Sequence, residues 1–287
     1  MTIRAALMRF LLQEDLNFLL TNRLPRRLAT QAVGRIARIE HPVVAKPALA
    51  AWRFFAGVDL SDSQSIRFRS LRDGFTRALR PGARPFAAEA DTIASPCDSI
   101  VGAHGRVEHG RAFQVKGFPY RLDELIPDVA LAAHYRDARF VTLRLTAGMY
   151  HRFHAPADLA VEAVTYVSGD CWNVNPIALR RVERLFCRNE RAVIEARLAG
   201  GSPLLIVPVA AILVAGIRLT FLDTPALLRA GGAGRRACDA QLQRGEEMGW
   251  FEHGSTIILF LPADVQWAEG IVEGRALRAG EPLARLP

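Results

Sequence analysis

The stretch EEMGWFEHGSTIILF, residues 246–260, places Gly254, Ser255 and Thr256 directly before a continuous apolar run. Such a run is typical of a strand buried on both faces, so a hydroxyl stands at the entrance to a buried strand. A Gly-Ser-Thr tripeptide alone indicates no more than a turn. The rest of the chain must therefore decide between a turn and a reactive site.

The segments before and after this stretch have the pattern of a β-rich domain. Polar and apolar residues alternate with a period of two, which predicts half-buried strands, at residues 139–145, 161–167 and 192–198. Longer apolar runs predict more deeply buried strands at residues 204–209 and 211–221. Glycines between short apolar pieces near the C-terminus predict tight turns at Gly270, Gly274 and Gly280.

The first 60 residues follow a helical pattern instead. Met8, Leu12, Leu16 and Leu20 recur every four residues, and Pro25 ends this run. Further helices are predicted at residues 26–39, 48–55 and 65–79. The sequence therefore predicts an α+β protein, in which a helical, basic N-terminal region (1–60) precedes a β-rich domain (61–287).

The charge of the chain is concentrated at its N-terminal end. The 287 residues are 50% apolar, enough to bury a sizeable core, and carry a net charge of +8. Residues 1–60 hold nine Arg or Lys against four Asp or Glu, which favours an anionic partner. No aromatic-interleaved basic stretch or zinc-finger spacing supports nucleic acid, so we expect an acidic membrane surface. Ordinary core helices are the alternative.

The sequence also predicts where the protein resides. The longest apolar run, residues 203–217, is too short to span a bilayer and contains Pro208 and Gly216. The four cysteines are widely spaced without a CxxC pair, and the N-terminus lacks the cleavage site of a secretory signal. We therefore expect a peripheral protein in a reducing, cytoplasmic compartment, without disulfides.

The residues that could perform chemistry are an aspartate, two histidines and the serine. Asp98 follows Pro96, His151 and His154 form an HxxH pair, and no nearby Cys or His completes a metal site, so no metal is predicted. Together they supply a hydroxyl, a base and a carboxylate to orient the base. The GxSxG elbow of conventional serine hydrolases is absent, and the electrophile nearest to Ser255 is the carbonyl of Gly254. A serine so placed can cleave its own peptide bond.

Five ordered motifs make a resemblance specific. SPCDSIVG, YHRFHAP, GDCWNVNP, LFCRNERAV and GEEMGWFEHGSTIILF succeed one another between residue 67 and the C-terminus. In this order they resemble the phosphatidylserine decarboxylases, a family of pyruvoyl enzymes that make their own prosthetic group. The N-terminal helices resemble the membrane-docking region of that family more loosely.

The resemblance implies a chemistry for each residue. Ser255 attacks the carbonyl of Gly254, with His154 as base and Asp98 orienting it, and the chain is cut into a β chain (1–254) and an α chain (255–287) that begins with a pyruvoyl group. His151 is implied in decarboxylation, as the proton donor to the product. The two histidines are assigned by their order alone, so an exchange of roles is open. The implied partners are phosphatidylserine in an anionic membrane, at its cytoplasmic face, and the companion chain of the same precursor; a homodimer is compatible with the resemblance.

Several positions depart from the family pattern and leave alternatives open. Ser99 stands where the family usually has Gly, Met149 where it has Asp, and His253 where it has Leu. These changes keep the self-cleaving residues but lie close to them. The alternatives are a decarboxylase of the same family that acts on a free aromatic amino acid, and an unprocessed lipid-binding protein without activity.

Overall fold

The structure is a computed structural model that describes residues 13–23, 25–212, 216–229, 234–252 and 255–287. The predicted start of the first helix, and both His253 and Gly254, lie outside the described residues.

Among residues 13–60 that the structure describes, three helices precede the β-rich body, as the sequence predicts: α1 (Glu14–Asn22), α2 (Arg26–Ile36) and α3 (Pro42–Ala56). The Gln13 side chain accepts a hydrogen bond from the Leu16 amide and caps α1. α3 begins with Pro42, whose missing N–H is not needed there, and ends at Gly57 with φ of 61°. Within the described residues, no helix has both the length and the apolar character needed to cross a membrane.

The helices are held against the β-rich body by polar contacts. Arg26 forms an ion pair of 2.6 Å with Asp170, and the Trp52 indole donates to the Ala147 carbonyl at 2.8 Å. Arg26 belongs to α2 and Trp52 to α3, so both of these helices contact the β-rich body.

An antiparallel sheet of eight strands forms the centre of the body. Its spatial order is β11-β7-β8-β9-β13-β5-β2-β15. The strands are β2 (Ser99–Arg106), β5 (Arg139–Leu145), β7 (Leu159–Val167), β8 (Arg191–Leu198), β9 (Pro203–Val209), β11 (Gly234–Leu242), β13 (Ser255–Leu261) and β15 (Ala276–Leu277). All seven residues of β13 are buried between β5 and β9, which explains its unbroken apolar run.

Smaller sheets and short helices surround this sheet. β6 (Arg152–His154), β10 (Ile217–Leu219) and β12 (Glu247–Phe251) form one sheet in the order β10-β12-β6. The remaining strands are β1 (Thr92–Ala94), β14 (Gln266–Trp267) and β16 (Pro282–Arg285), which pair as β1-β16-β14, and the hairpin of β3 (Arg111–Val115) and β4 (Phe118–Arg121). The remaining helices are α4 (Leu71–Phe75), α5 (Leu122–Leu125), α6 (Val129–His134), α7 (Pro176–Leu179), α8 (Leu185–Arg188) and α9 (Thr224–Arg229).

Most predicted strands and turns are confirmed. The strands predicted at 139–145, 161–167, 192–198 and 204–209 correspond to β5, β7, β8 and β9. The predicted turn glycines Gly270, Gly274 and Gly280 have φ of 74°, 90° and 90°, a region that favours glycine. The α+β fold class is therefore confirmed.

Two predicted elements are wrong in extent. Of the strand predicted over 211–221, the described residues contain only β10, because Gly216 with φ of 120° interrupts the extended backbone before it. The helix predicted over 65–79 is reduced to α4. The hydroxyls of Ser63 and Ser65 bond local carbonyls before α4, so side chains replace helical hydrogen bonds there.

Candidate active site

Ser255 is the first residue of β13 and is completely buried. Its backbone is opposite Leu145 of β5, so the position of the serine is fixed by the central sheet. Its hydroxyl has no hydrogen-bond partner among the described residues. A buried hydroxyl without a partner is costly in a fold, and Ser255 shares this state with other buried hydroxyls such as Ser99 and Thr256. What distinguishes Ser255 is its place at the start of β13, directly after Gly254 in the sequence.

Strand β12 brings the histidine motif to the segment that leads into Ser255. β12 pairs with β6, with Trp250 opposite Arg152. The Phe251 amide donates to the His151 carbonyl at 3.0 Å. His151 therefore lies beside Phe251, the last residue of β12. Phe251 precedes Ser255 by four residues in the sequence.

Gly249 allows β12 to pack closely on its other side. A Cβ atom at this position would lie 2.0 Å from the Arg218 carbonyl oxygen of β10. The close approach of the two strands requires glycine, and it places Arg218 beside the same segment as His151.

His151 is buried between an aromatic ring and a carbonyl group. Its ring stacks on Phe75 with centroids 5.2 Å apart, and its Nε2 lies 3.0 Å from the Thr146 carbonyl oxygen. Because a carbonyl only accepts, Nε2 carries a proton. Thr146 directly follows Leu145, the strand partner of Ser255, so His151 flanks the serine's strand.

His154 has both ring nitrogens engaged. Nδ1 lies 2.9 Å from the Gly245 carbonyl oxygen and must donate to it, which leaves Nε2 to accept from the Tyr150 hydroxyl at 3.1 Å. Burial lowers the pKa of His154, so the imidazole stays neutral near pH 7. Across the residues that the structure describes, no three His, Cys, Asp or Glu side chains gather as they would around a metal ion.

Asp98 is bound to an arginine. Arg84 donates to both carboxylate oxygens, at 2.7 and 2.6 Å, and the Ala279 amide donates at 2.9 Å. Arg84 also pairs with Asp62 at 2.8 Å, and these acids raise the pKa of its guanidinium. The hydrogen bond expected from Asp98 to His154 is not formed. The planar guanidinium fork matches the carboxylate in two places, and the Gly245 carbonyl orients the histidine instead.

A cavity of about 400 Å³ connects Asp98 to the end of β5. It is lined by Arg77, Arg84, Asp98, Thr146, Met149 and Tyr150. The cavity thus joins the ion pair of Asp98 to the hydroxyl that bonds His154. Met149, one of the departures from the family pattern, belongs to its wall.

Sequence reasoning missed Glu252, whose side chain is 2% exposed. Three guanidinium groups, named here the arginine cluster, surround its carboxylate: Arg38 at 3.2 Å, Arg72 at 3.1 Å and Arg218 at 3.4 Å. The arginines come from distant parts of the sequence, so no local motif announces them. The available signal is a lone acidic residue between Phe251 and the buried strand β13, since a buried carboxylate requires partners.

The other motif residues support the backbone. The Asn189 side chain bonds both the amide and the carbonyl of Trp172 and also the Ala210 carbonyl. Asn175 caps α7 through the Ala178 amide. These contacts hold the loop before β8 and the chain leaving β9, so these asparagines are structural residues near the site.

The side chains of the site indicate the class of protein. A buried serine opens the central strand β13, and the same body holds a neutral histidine and a buried aspartate, with no metal-binding group in the described part of the chain. A hydroxyl, an imidazole and a carboxylate are the side chains that enzymes use for nucleophilic chemistry, so the class of protein is an enzyme.

Comparison with known proteins then gives the family. The sequence model of the phosphatidylserine decarboxylase family matches residues 71–285. The chain is similar to a phosphatidylserine decarboxylase proenzyme of Halorhodospira halophila, with 39% identity over 92% of this chain and 91% of the relative. It is also similar to such proenzymes of Anaeromyxobacter sp. (37% identity, 91% and 94% covered) and Brevibacillus brevis (30% identity, 92% and 96% covered). The chain belongs to the phosphatidylserine decarboxylase family, a family of carboxy-lyases.

The buried, neutral state of His154 predicts a pH dependence of stability. The folded pKa lies below the ordinary value of 6.5, so the unfolded chain takes up a proton first as the pH falls. This contribution to the free energy of unfolding is present above pH 6.5 and is lost as the pH falls below it. We expect denaturant unfolding between pH 7.5 and 5 to show a shallower pH slope in Ser255→Ala/His154→Gln than in Ser255→Ala alone. Parallel slopes would contradict this prediction.

Proposed function

We propose that this protein is a self-cleaving, pyruvoyl-dependent decarboxylase that converts phosphatidylserine to phosphatidylethanolamine and carbon dioxide. One observation carries the proposal: the serine of the GST motif is buried at the entrance to the central strand, with a hydroxyl that has no partner in the described residues. Membership of the family and the names of the relatives support the substrate.

Self-cleavage follows from the chemistry of a serine next to glycine. The Ser255 hydroxyl loses its proton and adds to the Gly254 carbonyl carbon, the C–N bond breaks, and the nitrogen takes up a proton, which gives an ester. Loss of the Ser255 α-proton then forms a double bond between Cα and Cβ, and the oxygen departs with the acyl group as a carboxylate on residue 254. The resulting dehydroalanine is hydrolysed by one water, releases ammonia and leaves a pyruvoyl group.

The surroundings of Ser255 suit a pyruvoyl group. Ser255 is enclosed by the central sheet and its hydroxyl forms no hydrogen bond with the described residues, so conversion of the hydroxyl to a ketone breaks no hydrogen bond there. When present, the group supplies an electron-withdrawing carbonyl next to the substrate's α-carbon. The strands hold it in one orientation.

The two histidines and Asp98 fit separate parts of the proposal. The Gly245 carbonyl fixes the Nδ1 proton of His154 and leaves Nε2 as the proton acceptor, bonded by the Tyr150 hydroxyl, which supports His154 as the base in self-cleavage once it exchanges that partner. In this proposal Asp98 partly neutralises the Arg84 guanidinium and thereby sets the charge of the cavity that both residues line. His151 flanks the strand of Ser255, which supports it as the proton donor in decarboxylation.

The first test is the intact mass of the denatured protein. We expect two chains, 1–254 and 255–287, the shorter of them lighter by one ammonia than the same peptide with an N-terminal serine. Ser255→Ala should remain one full-length, inactive chain, because it lacks the nucleophile. Cleavage in this variant, or an intact wild-type chain, would refute the proposal.

A set of four variants tests the division of roles. His154→Ala should stall cleavage, whereas His151→Ala should mature and lose roughly 100-fold or more in decarboxylation, the usual effect of general acid–base groups. Asp98→Asn should also slow cleavage, because it leaves Arg84 with one acid fewer and changes the charge of the cavity that contains Tyr150, the partner of His154. Asp62→Asn is its matched control, since it removes the other acid that pairs with Arg84. The opposite pattern in the histidines would exchange their roles.

We also propose that the N-terminal region docks on an anionic membrane. Of the described large apolar side chains that are exposed, eight of twelve lie between residues 14 and 60: Leu19, Leu20, Leu28, Ile36, Ile39, Val43, Phe54 and Phe55. Basic side chains, among them Arg35 and Arg53, lie on the same helices. Apolar insertion and attraction to acidic headgroups together support peripheral binding. The free thiols of the four cysteines fit the reducing cytoplasmic face.

Docking can be measured by sedimentation with vesicles of phosphatidylcholine and phosphatidylserine. Leu28 and Val43 are 66% and 75% exposed, and we expect Leu28→Asp and Val43→Asp each to weaken binding about tenfold or more. Val129→Asp is the matched control, because Val129 is 69% exposed but lies in the β-rich body. Equal losses in all three variants would contradict docking through the N-terminal helices.

A further inference from the structure

The arginine cluster around Glu252 holds more positive charge than its acid neutralises. Three guanidinium groups face one carboxylate, and in the described part of the chain the three arginines form no ion pair with any other acid. The surplus is two charges. Positive charge gathered around a buried acid destabilises the fold unless anions balance it.

The hydrogen bonds of the cluster are also incomplete. The Nε atom of Arg72 is buried and has no hydrogen-bond acceptor among the described residues, whereas the buried Nε of Arg218 lies 3.4 Å from Glu252 Oε1 without forming a hydrogen bond. The ion-pair distances to Glu252 are 3.1 to 3.4 Å, longer than the 2.6 to 2.8 Å of the Arg84 pairs. The cluster therefore has the charge, one donor without an acceptor in Arg72 and weakly bonded donors in Arg218 to bind a second anion.

Self-cleavage creates an anion close to this place. Residue 254, which becomes a chain terminus, is two residues from Glu252, and each Cα–Cα step spans about 3.8 Å. The carboxylate carbon of residue 254 lies one further bond of about 1.5 Å from its Cα, so the newly formed carboxylate arises within about 9 Å of the Glu252 Cα. Arg218 on β10 lies opposite Trp250 on β12, so β10 brings this arginine next to the strand that ends just before Glu252.

We propose that the arginine cluster binds the carboxylate that leaves during self-cleavage and accelerates its departure. This inference rests on the proposed self-processing function. In the elimination step, the Cβ–Oγ bond of Ser255 breaks and both electrons stay on the departing oxygen. The negative charge develops on the carboxylate of residue 254, where prearranged guanidinium groups stabilise it. Before cleavage, Glu252 holds the three arginines in place.

The experiment follows the ester that precedes elimination. Freshly translated chains are incubated with and without hydroxylamine, which cleaves esters and leaves a hydroxamate on residue 254 and a serine at 255. In Arg38→Gln and Arg218→Gln we expect self-cleavage to be about tenfold slower, and an uncut fraction that hydroxylamine splits at this bond. Arg218→Lys, which keeps the charge, should restore the rate and remove that fraction.

The control is Arg235→Gln. Arg235 is 50% exposed and pairs with the buried Glu195, as Arg38 is 49% exposed and pairs with Glu252. It lies on β11, four strand spacings or roughly 19 Å from β13. Loss of one arginine from such a pair is therefore expected to leave the rate of cleavage unchanged.

Three results would overturn the inference while leaving self-processing intact. They are cleavage of the arginine variants at the wild-type rate, slow cleavage without a hydroxylamine-sensitive fraction, and equal slowing in the control. A wild-type chain that is never cut, with or without hydroxylamine, would instead refute the proposed function itself.

Discussion

The structure depends on the position of β13 between two antiparallel neighbours. Backbone hydrogen bonds to β5 and β9 leave this strand no freedom to slide, because a shift by one residue would reverse every side chain of a fully buried element. Ser255 inherits this rigidity as the first residue of the strand. The chemistry is thereby placed at the boundary between a fixed strand and the segment that enters it.

Arginines organise the charge around that boundary. Arg84 forms an ion pair with Asp98, and the arginine cluster forms ion pairs with Glu252. Both of these buried acids are therefore bound by guanidinium groups. The two histidines form hydrogen bonds with neutral groups. His151 bonds a backbone carbonyl, and His154 bonds a backbone carbonyl and the Tyr150 hydroxyl. This separation keeps charged side chains out of hydrogen-bonding contact with His154, and burial is then the main cause that lowers its pKa.

The sequence predicts elements whose period is set by local burial. Strands β5, β7, β8 and β9 follow from alternation or continuous apolar runs, and the motifs around Asp98, His151, His154 and Ser255 follow from residue types alone. Two features could not be read in this way. The partner of Asp98 is 14 residues away in a different loop, and the partners of Glu252 come from the end of α2, from α4 and from β10. Such pairings are decided by tertiary packing.

The central place of β13 has a consequence for the lifetime of a cleaved molecule. If the chain is cut before Ser255, the middle strand of the main sheet belongs to a short separate polypeptide, although β16 still pairs with β1 of the longer one. The precursor folds as one chain, with a modest loop-closure entropy. Two cut pieces that come apart must meet again by diffusion at their ambient concentration, with exposed apolar strands. The sheet is then assembled before the cut, and the lifetime of the cleaved enzyme is set by the rate at which the two pieces separate.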